Sequence, residues 1–575
     1  EGVFTLEYKP VKGLSLRAVG GANILDGQKK EWRRAYGKYG VDGLISTAFG
    51  QKSPNSVTQN NSHRQYLTGQ LIAEYKGVFG KHDINVLGGW SAEENLYEDL
   101  QGKRTNIVGN ELPALNLGDT DGWSNAADEN EWALLSGFMR ASYAFAAKYL
   151  VEVNFRADAS SRFSKKNRWG VFPSASVGWR ITEEKFMQNQ HIFDNLKLRA
   201  SWGQLGNQNG LGLYDHIASY NINGYYPFKS ELGQWAVISK LPSESRTWET
   251  VEVKNIAVDM AFLRNRLTVT GEYFIKKNKD MLVSIEIPSI IGIDVPTGNY
   301  GELKVKGWEV TVGWQDKIKD FSYGARFNLS DQKDKLVDYG VEYNGFVAGV
   351  NQKVQGYSLG SIFGYRTDGY FTSEEEVKNS AAFNKAITGV GDIKYIDKDG
   401  DGKISAPNDL EYLGTTTPRY TFGLNLTAAW KGFDLGVLLQ GVGKRNFYLS
   451  SEVMNPYYAT WNNFSYKMHN DYWTPENPNA AFPRYYAGAN HNYQISDHWL
   501  QNAAYVRLKN LQLGYTISPK LTKSWGIQRL RVYFSGDNLC EYSKLNDNFD
   551  PELSDINGYV YPIMRNFSFG INVTL

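Results

Sequence analysis

Three aspartates at two-residue spacing are the residues of this sequence best placed to do chemistry. Asp397, Asp399 and Asp401 lie in the segment GDIKYIDKDGDGKI, and Gly402 and Lys403 follow directly. Alternate carboxylates, a glycine and a residue that offers its carbonyl reproduce the first half of a calcium loop, because a hard cation needs converging oxygens and a sharp turn. The spacing therefore predicts a structural calcium site.

The closing end of this loop departs from the standard pattern. Position 12 is Asn408, and the carboxylate comes one residue later, at Asp409. The predicted ligands are thus Asp397, Asp399, Asp401, the carbonyl of Lys403, and Asp409. The alternative is a solvated acidic turn built on Asp-Gly chemistry, but three crowded carboxylates would repel one another without a cation.

Aromatic residues are concentrated between residues 457 and 486, in a long and mostly polar segment. Such rings can stack on a sugar or a peptide, or they can pack against a protein that covers the segment. Packing of the segment on itself would use the same residues and is the more common outcome. The candidates for ligand or lid contact are Trp461, Tyr472, Trp473, Tyr485 and Tyr486.

Motifs for covalent chemistry are missing from the sequence. There is no HExxH, no GxSxG and no phosphate-binding P-loop, and the segment GVGKR at residues 441–445 lacks both the P-loop spacing and its Ser or Thr. The single cysteine, Cys540, excludes an intramolecular disulfide framework and a thiolate metal site. We therefore predict that the chain is not an enzyme.

Composition narrows the class of protein further. The 575 residues include 62 Lys and Arg against 61 Asp and Glu, for a net charge of +1, so no basic field is available to hold nucleic acid. Aromatic residues make up 14% and glycines number 57. This composition suits interfacial aromatic girdles and a sheet that must bend, although a large soluble β-protein would share it.

A hairpin directly after the acidic loop shows what kind of element positions it. From residue 420 to 430 and again from 433 to 440, apolar and polar residues alternate, which is the period of a β-strand. Each strand has about 10 residues, the length of a tilted strand that crosses a hydrocarbon layer. Only Lys431 and Gly432 separate Trp430 from Phe433, whereas a long polar segment precedes the hairpin.

This asymmetry recurs along the chain and predicts an all-β fold, a transmembrane antiparallel β-barrel. We count about 17 strands, in one unit spanning residues 1–575, with short turns on one side and long loops on the other. The largest loops are residues 335–417 and 447–502. In bacterial barrels the short turns are periplasmic, so the long loops are expected to be extracellular and to carry recognition.

Seven segments in a fixed order resemble those of SusC/RagA-type TonB-dependent transporters of the Bacteroidota outer membrane. The match runs over nearly the whole chain, and it includes FRADASSRF, NRWGVFPSASVGWRI, LRASWGQLGNQ, GDIKYIDKDGDGKI, YWTPENPNAAFPRY, AAYVRLKNLQLGYTI and LRVYFSGDNL. The resemblance implies a barrel of 22 strands with an N-terminal plug. Because this sequence shows about 17 strands and no plug, we expect about five strands, the plug and the TonB-binding segment to precede Glu1.

The resemblance also implies a function. It suggests uptake of oligosaccharides or peptides across the bacterial outer membrane, powered by TonB through the missing N-terminal region, with a SusD-like surface lipoprotein capping a multi-pass barrel set in outer-membrane lipid. The alternative is a structural or assembly role, in which the same barrel scaffolds partner proteins at the surface. The sequence does not distinguish a glycan from a peptide substrate.

Overall fold

The fold was analysed in a computed structural model of the chain. The structure describes residues 1–35, 43, 54–109, 111–228, 231–238, 240–284, 290, 292–293, 297–340, 346–457, 466–546, 549–553, 561 and 563–575. By its internal contacts the chain divides into two compact units. Unit 1 comprises Glu1–Val177, Gly203–Thr250 and Ser284–Asn299, and unit 2 comprises Gly178–Trp202, Val251–Val283 and Tyr300–Leu575.

Among the described residues, seventeen strands belong to one large antiparallel sheet, as predicted, and nine further strands lie in the connections. In chain order the strands are β1 (Gly2–Val11), β2 (Leu14–Arg33), β3 (Ser56–Phe79), β4 (His82–Thr105), β5 (Ser124–Phe145), β6 (Tyr149–Ser160), β7 (Trp169–Arg180), β8 (Phe193–Asn207), β9 (Tyr220–Phe228), β10 (Glu231–Ile238), β11 (Glu249–Phe262), β12 (Leu267–Val283), β13 (Gly298–Ile318), β14 (Phe321–Asp338), β15 (Gly349–Gln352), β16 (Ser361–Tyr365), β17 (Thr367–Tyr370), β18 (Ile393–Tyr395), β19 (Leu410–Thr415), β20 (Arg419–Trp430), β21 (Phe433–Lys444), β22 (Asn446–Tyr448), β23 (Leu500–Asn502), β24 (Tyr505–Thr516), β25 (Arg529–Ser543) and β26 (Asn566–Thr574).

Helical structure is limited to short pieces, and no helix among the described residues is long and apolar enough to cross a bilayer. The helices are α1 (Glu374–Asn379), α2 (Ser451–Met454) and α3 (Pro519–Thr522). Single 3₁₀ turns occur at Leu115–Leu117, Ile181–Glu183, Lys185–Met187, Lys467–Asn470, His491–Tyr493, Asp497–Trp499 and Lys523–Trp525. Two of these turns lie in the connection between β7 and β8.

Strands that follow one another along the chain pair as antiparallel neighbours. In unit 1, β1 pairs with β2 and the series continues through β6. In unit 2, β14 pairs with β13 and β20, and the series continues from β20 through β21, β24 and β25 to β26. Several strands are longer than the stretch of about 10 residues that crosses a hydrocarbon layer: β2 has 20 residues and β3 has 24.

The two faces of the sheet differ in chemistry, as strand β6 illustrates. Its exposed positions carry large apolar side chains at every second residue, namely Tyr149, Val151, Val153 and Phe155. On the other face, Arg156 donates to Asp158 at 2.8 Å and to Ser136 at 2.9 Å. An apolar outer face with a hydrogen-bonded polar inner face is what a strand between lipid and an aqueous lumen requires.

Aromatic side chains form rows where the strands meet their short turns. In unit 1, Phe79, His82, Phe145 and Tyr149 are successive cross-strand partners. In unit 2, the row is Phe321, Trp430, Phe433 and Tyr515. Amphipathic rings favour the boundary between hydrocarbon and water, so these rows agree with the predicted interfacial girdle.

The tight connection predicted after Trp430 is a two-residue turn. Lys431 has φ +46° and Gly432 has φ +94°, the left-handed pair that matches the right-handed twist of a hairpin. A Cβ on Gly432 would lie 2.8 Å from the carbonyl oxygen of Thr516, so the neighbouring strand also requires glycine here.

The ion pairs of the polar face give a first prediction. Arg531 is 9% exposed and donates to Asp434 and to Gln512, each at 2.9 Å. Asp434→Asn leaves the guanidinium without its counter-charge, and we expect a loss of about 2 kcal/mol in the free energy of unfolding by urea, measured in detergent. Glu31→Gln, which breaks the exposed pair with Arg33, is the control and should cost less than about 1 kcal/mol. Equal effects of the two changes would contradict the prediction.

Candidate functional site

The buried apolar side chains of unit 2 are concentrated in its long loops rather than in its long strands. One cluster joins residues from both large loops and from the β25–β26 connection, with Trp499 at 1% exposure, Val453 at 0% and Leu545 at 4%. Burial of one such side chain contributes about 1.5–3 kcal/mol. The predicted recognition loops are therefore a folded layer with their own hydrophobic core.

Short strands hold this loop core together. Strand β16 is buried along its whole length and pairs with β15 on one side and β19 on the other. A parallel bridge from Tyr365 to Ser496 connects the first large loop to the second, and β22 pairs with β23 at the base of the second loop. Backbone pairing thus fixes the two loops against each other within unit 2.

A buried carboxylate lies inside this layer. Asp392 is 0% exposed and accepts hydrogen bonds from the Tyr486 hydroxyl at 3.0 Å, the Asn492 amide at 2.9 Å and the Gly389 backbone N–H at 2.8 Å, with His491 Nε2 at 2.9 Å. Several donors converging on one carboxylate offset the cost of removing it from water. We interpret Asp392 as the polar anchor between the two large loops.

Sequence reasoning missed this anchor for a physical reason. Asp392 and His491 are 99 residues apart, and no motif of fixed spacing joins them, although Asp392 lies in the segment GDIKYIDKDGDGKI. A local signal is Gly391, directly before Asp392. Gly391 has φ +90°, and because it has no Cβ the Trp473 ring can approach its backbone, where a Cβ would lie 2.3 Å from the ring. Half-buried Trp473, predicted as a ligand contact, therefore packs on the loop backbone.

The other predicted aromatic contacts are divided between packing and exposure. The Tyr485 hydroxyl donates to the His469 carbonyl at 2.9 Å, and burial raises the pKa of Tyr485 above its usual value. The Tyr486 hydroxyl donates a hydrogen bond to Asp392. Tyr472 remains 42% exposed, with its ring 5.4 Å from that of Tyr485. Trp461 lies outside the described residues.

The predicted calcium loop brings three carboxylates together. One ligand oxygen from each of Asp397, Asp399 and Asp401 lies within 4.8 Å of the others. Asp397 accepts backbone hydrogen bonds from Gly402 and Gly400, both at 2.8 Å, and these bonds, that from Gly402 above all, lower the pKa of Asp397. The Asp397 carboxylate is therefore ionised in neutral solution and is held close to the carboxylates of Asp399 and Asp401.

The closing residues of the loop brace it instead of joining the carboxylate group. Asp409 is 1% exposed and accepts from the backbone N–H of Lys398 at 2.8 Å and of Ser405 at 2.7 Å. The Asn408 amide donates to Asp399 at 2.8 Å. Within the described residues, the group of converging carboxylates comprises Asp397, Asp399 and Asp401, and Asp409 lies outside it.

Comparison with known proteins places this geometry in a family. The model of the TonB-dependent receptor-like β-barrel family matches residues 4–539. TonB-dependent receptor P26 of Formosa agariphila is 30% identical over 87% of this chain and 52% of its own length. TonB-dependent receptor SusC of Bacteroides thetaiotaomicron is 28% identical over 76% of this chain and 43% of its own. The chain thus spans about half the length of the curated relatives it matches.

Solved structures share the fold. The structure of the RagAB peptide transporter matches with a TM-score of 0.83 at 23% identity, covering 99% of this chain and 61% of that one. The "open-open" state of the RagAB peptide importer matches with a TM-score of 0.81 at 24% identity, covering 99% and 60%. The predicted fold class and the resemblance are confirmed, and the chain belongs to the TonB-dependent receptor β-barrel family as a SusC/RagA-like protein of the bacterial outer membrane, which it crosses with its strands.

Proposed function

We propose that this chain is the barrel portion of a nutrient importer that takes up oligosaccharides or peptides with TonB-derived energy. The family match over residues 4–539 is the observation that carries the proposal. TonB engagement would belong to the region of the relatives that this chain does not span. A SusD-like surface lipoprotein would cover the loop layer, and this layer supports that arrangement because its own core makes it a firm docking surface.

The mechanism proposed is binding and gated passage without covalent chemistry. The polar face of the sheet, which carries pairs such as Arg156 with Asp158 and Arg531 with Asp434, would line the passage and keep it hydrated. The loop layer would supply recognition, with Tyr472 the most exposed of its described candidate rings. A calcium ion, where bound, would hold the acidic loop rigid and take no part in transport.

Uptake by living cells tests the import proposal. Deletion of the full-length gene should abolish uptake of a fluorescent oligosaccharide or peptide from a panel of both, and the wild-type gene should restore it. A protonophore should stop the restored uptake, because TonB draws on the inner-membrane gradient. Unchanged uptake in the deletion strain would contradict the proposal. If that strain also lost partner proteins from its surface, the result would favour the scaffold alternative.

Purification in mild detergent tests the partner. We expect a lipoprotein to copurify with the full-length protein and to bury well over ~1,000 Å² against the loop layer, the area of a credible stable interface. Trp499→Ala, which removes a fully buried ring of the loop core, should reduce copurification, whereas Trp525→Ala, at a 63% exposed ring of the β24–β25 connection, should not. Repeated isolation of the barrel alone, from cells that express the lipoprotein, would count against the proposed partnership.

The acidic loop fits a calcium ion on geometric grounds. Oxygens at 2.3–2.6 Å from one cation are at most about 5 Å apart, and the three carboxylates already meet that limit at 4.8 Å. Asp397, Asp399 and Asp401 would be the ligands, with the Lys403 carbonyl and Asp409 as the further predicted members. Because Asp409 already accepts two backbone N–H groups, we propose that it orders the loop whether or not it reaches the ion.

Calorimetric titration with calcium chloride tests this site in the full-length protein. We expect one ion to bind with a dissociation constant on the order of 10⁻⁴ M, as in extracellular modules, and Asp399→Asn with Asp401→Asn to weaken binding by at least about tenfold. Since the pKa of Asp397 is lowered, affinity should persist below neutral pH and fall as Asp397 protonates. Glu375→Gln, on exposed α1, is the control. No heat of binding at millimolar calcium would remove the site.

A further inference from the structure

A row of alternating rings and amides crosses four adjacent strands of unit 1. Asn23 on β2, Tyr66 on β3, Asn95 on β4 and Trp132 on β5 are successive cross-strand partners, in a register without irregularity at this point. Neighbouring strands lie about 4.8 Å apart, so the four side chains form a continuous line on one face. The Tyr66 and Trp132 ring centroids are 6.1 Å apart.

The row lies on the polar face of the sheet. Steps of two residues along β3 lead from Tyr66 to Glu74, which pairs with Arg17, whereas the intervening positions include exposed Leu71. Tyr66 is 13 residues from Phe79 in the aromatic turn row, whereas about 9–11 residues cross a hydrocarbon layer. The row is thus on the solute side of the strands and just beyond the apolar span, toward the long connections.

The amides of this row have unused hydrogen-bonding capacity. Neither the Asn23 nor the Asn95 side chain has a hydrogen-bond partner among the residues that the structure describes, and Asn23 is exposed. Each amide offers two N–H donors and an acceptor oxygen. If these amides were hydrogen-bonded to other groups of the protein, the row would be explained by packing. Amides without partners, in line with half-buried rings, indicate a surface prepared for a polar ligand.

Charged neighbours fix the rings in place. The Tyr66 hydroxyl donates to Glu93 at 2.7 Å through one carboxylate oxygen. The Arg162 guanidinium carbon lies 5.7 Å from the centre of the Trp132 ring, and Arg64 stacks on Tyr97 one step farther along the face at 5.3 Å. Cation–π contacts of this kind hold an aromatic side chain in one orientation, which reduces the entropy cost of binding.

We propose that Asn23, Tyr66, Asn95 and Trp132, with Glu93 and Arg64 at their edges, form a binding platform for a neutral oligosaccharide. The inference rests on the proposed import function and names its substrate class. A pyranose ring has an apolar C–H face and an equatorial rim of hydroxyls. A line of rings interspersed with amides supplies contacts to both, and Glu93 adds an acceptor for a hydroxyl.

A peptide fits the platform less well. A peptide substrate carries charged termini and side chains, and a site for it would present unpaired charges of the opposite sign. Here the charges adjoining the row are of both signs, Glu93 against Arg64 and Arg162, and the groups within the row are uncharged. Hydroxyl recognition needs neutral donors and acceptors side by side, which is what the row provides.

Binding by the full-length protein in detergent tests the platform. The probes are neutral hexasaccharides on a glycan array, gluco-, manno- and xylo-configured, with tryptic peptides of casein as competitors. We expect at least one hexasaccharide to bind, and Trp132→Ala and Asn95→Ala each to raise its dissociation constant by about tenfold or more. Gln65→Ala and Glu131→Gln are the matched controls, because these residues precede Tyr66 on β3 and Trp132 on β5 and their side chains point to the other face of the sheet. Heat-modifiable gel mobility verifies that every variant is folded.

Three results would overturn the platform: no hexasaccharide binding above background, equal weakening by the control variants, or displacement by casein peptides. Uptake measured in cells that express Trp132→Ala separates this inference from the import proposal. If the wild-type protein imports a solute and Trp132→Ala imports it equally well, import stands and the platform fails. If the platform binds saccharide and no solute enters the wild-type cell, import fails and the platform stands.

Discussion

The requirement that every backbone N–H and C=O in hydrocarbon find a partner within the protein governs this structure. An unpaired backbone group in lipid costs several kcal/mol, and a β-strand can hydrogen-bond its backbone groups only to neighbouring strands. The pairing of neighbours from β1 to β6 in unit 1, and through β20, β21, β24, β25 and β26 in unit 2, meets this condition for these strands. Because strand pairing is fixed, chemistry is left to the side chains, which alternate between a lipid face and a polar face.

A sheet of this kind cannot bury much apolar surface of its own, since its apolar side chains point toward lipid. Phe567 and Phe569 on β26 are 63% and 83% exposed to solvent, whereas Trp499 in the loop layer is 1% exposed. The loop layer therefore needs a separate hydrophobic core to keep its shape in water. Asp392 adds specificity to that core, because its hydrogen bonds from residues on the second large loop are met in one arrangement of the two loops.

Sequence alone predicts the features that depend on local period and turn chemistry. The 17 strands, the tight turn at Lys431 and Gly432, and the girdle from Trp430 to Phe433 follow from alternation and from glycine. Features that depend on pairing across the chain are not readable: His491 reaches Asp392 from 99 residues away. The length of β2 and β3 beyond a membrane crossing is not predicted either, because most side chains there are polar on both faces and show no period of two. The acidic loop is local, yet its spacing did not show that Asp409 caps backbone groups.

The candidate residues also show why aromatic content is a weak guide to binding. Tyr485 and Tyr486 belong to the densest aromatic segment of the sequence, and the hydroxyls of both are engaged by the protein itself. A ligand that used those hydroxyls would have to replace an existing hydrogen bond, which leaves little net gain. Tyr66 and Trp132 are isolated in sequence and become neighbours only through strand register, beside amides that have no partner among the described residues. Unused hydrogen-bonding capacity next to a fixed ring distinguishes a binding surface from packing, and that combination is visible only after the strands are paired.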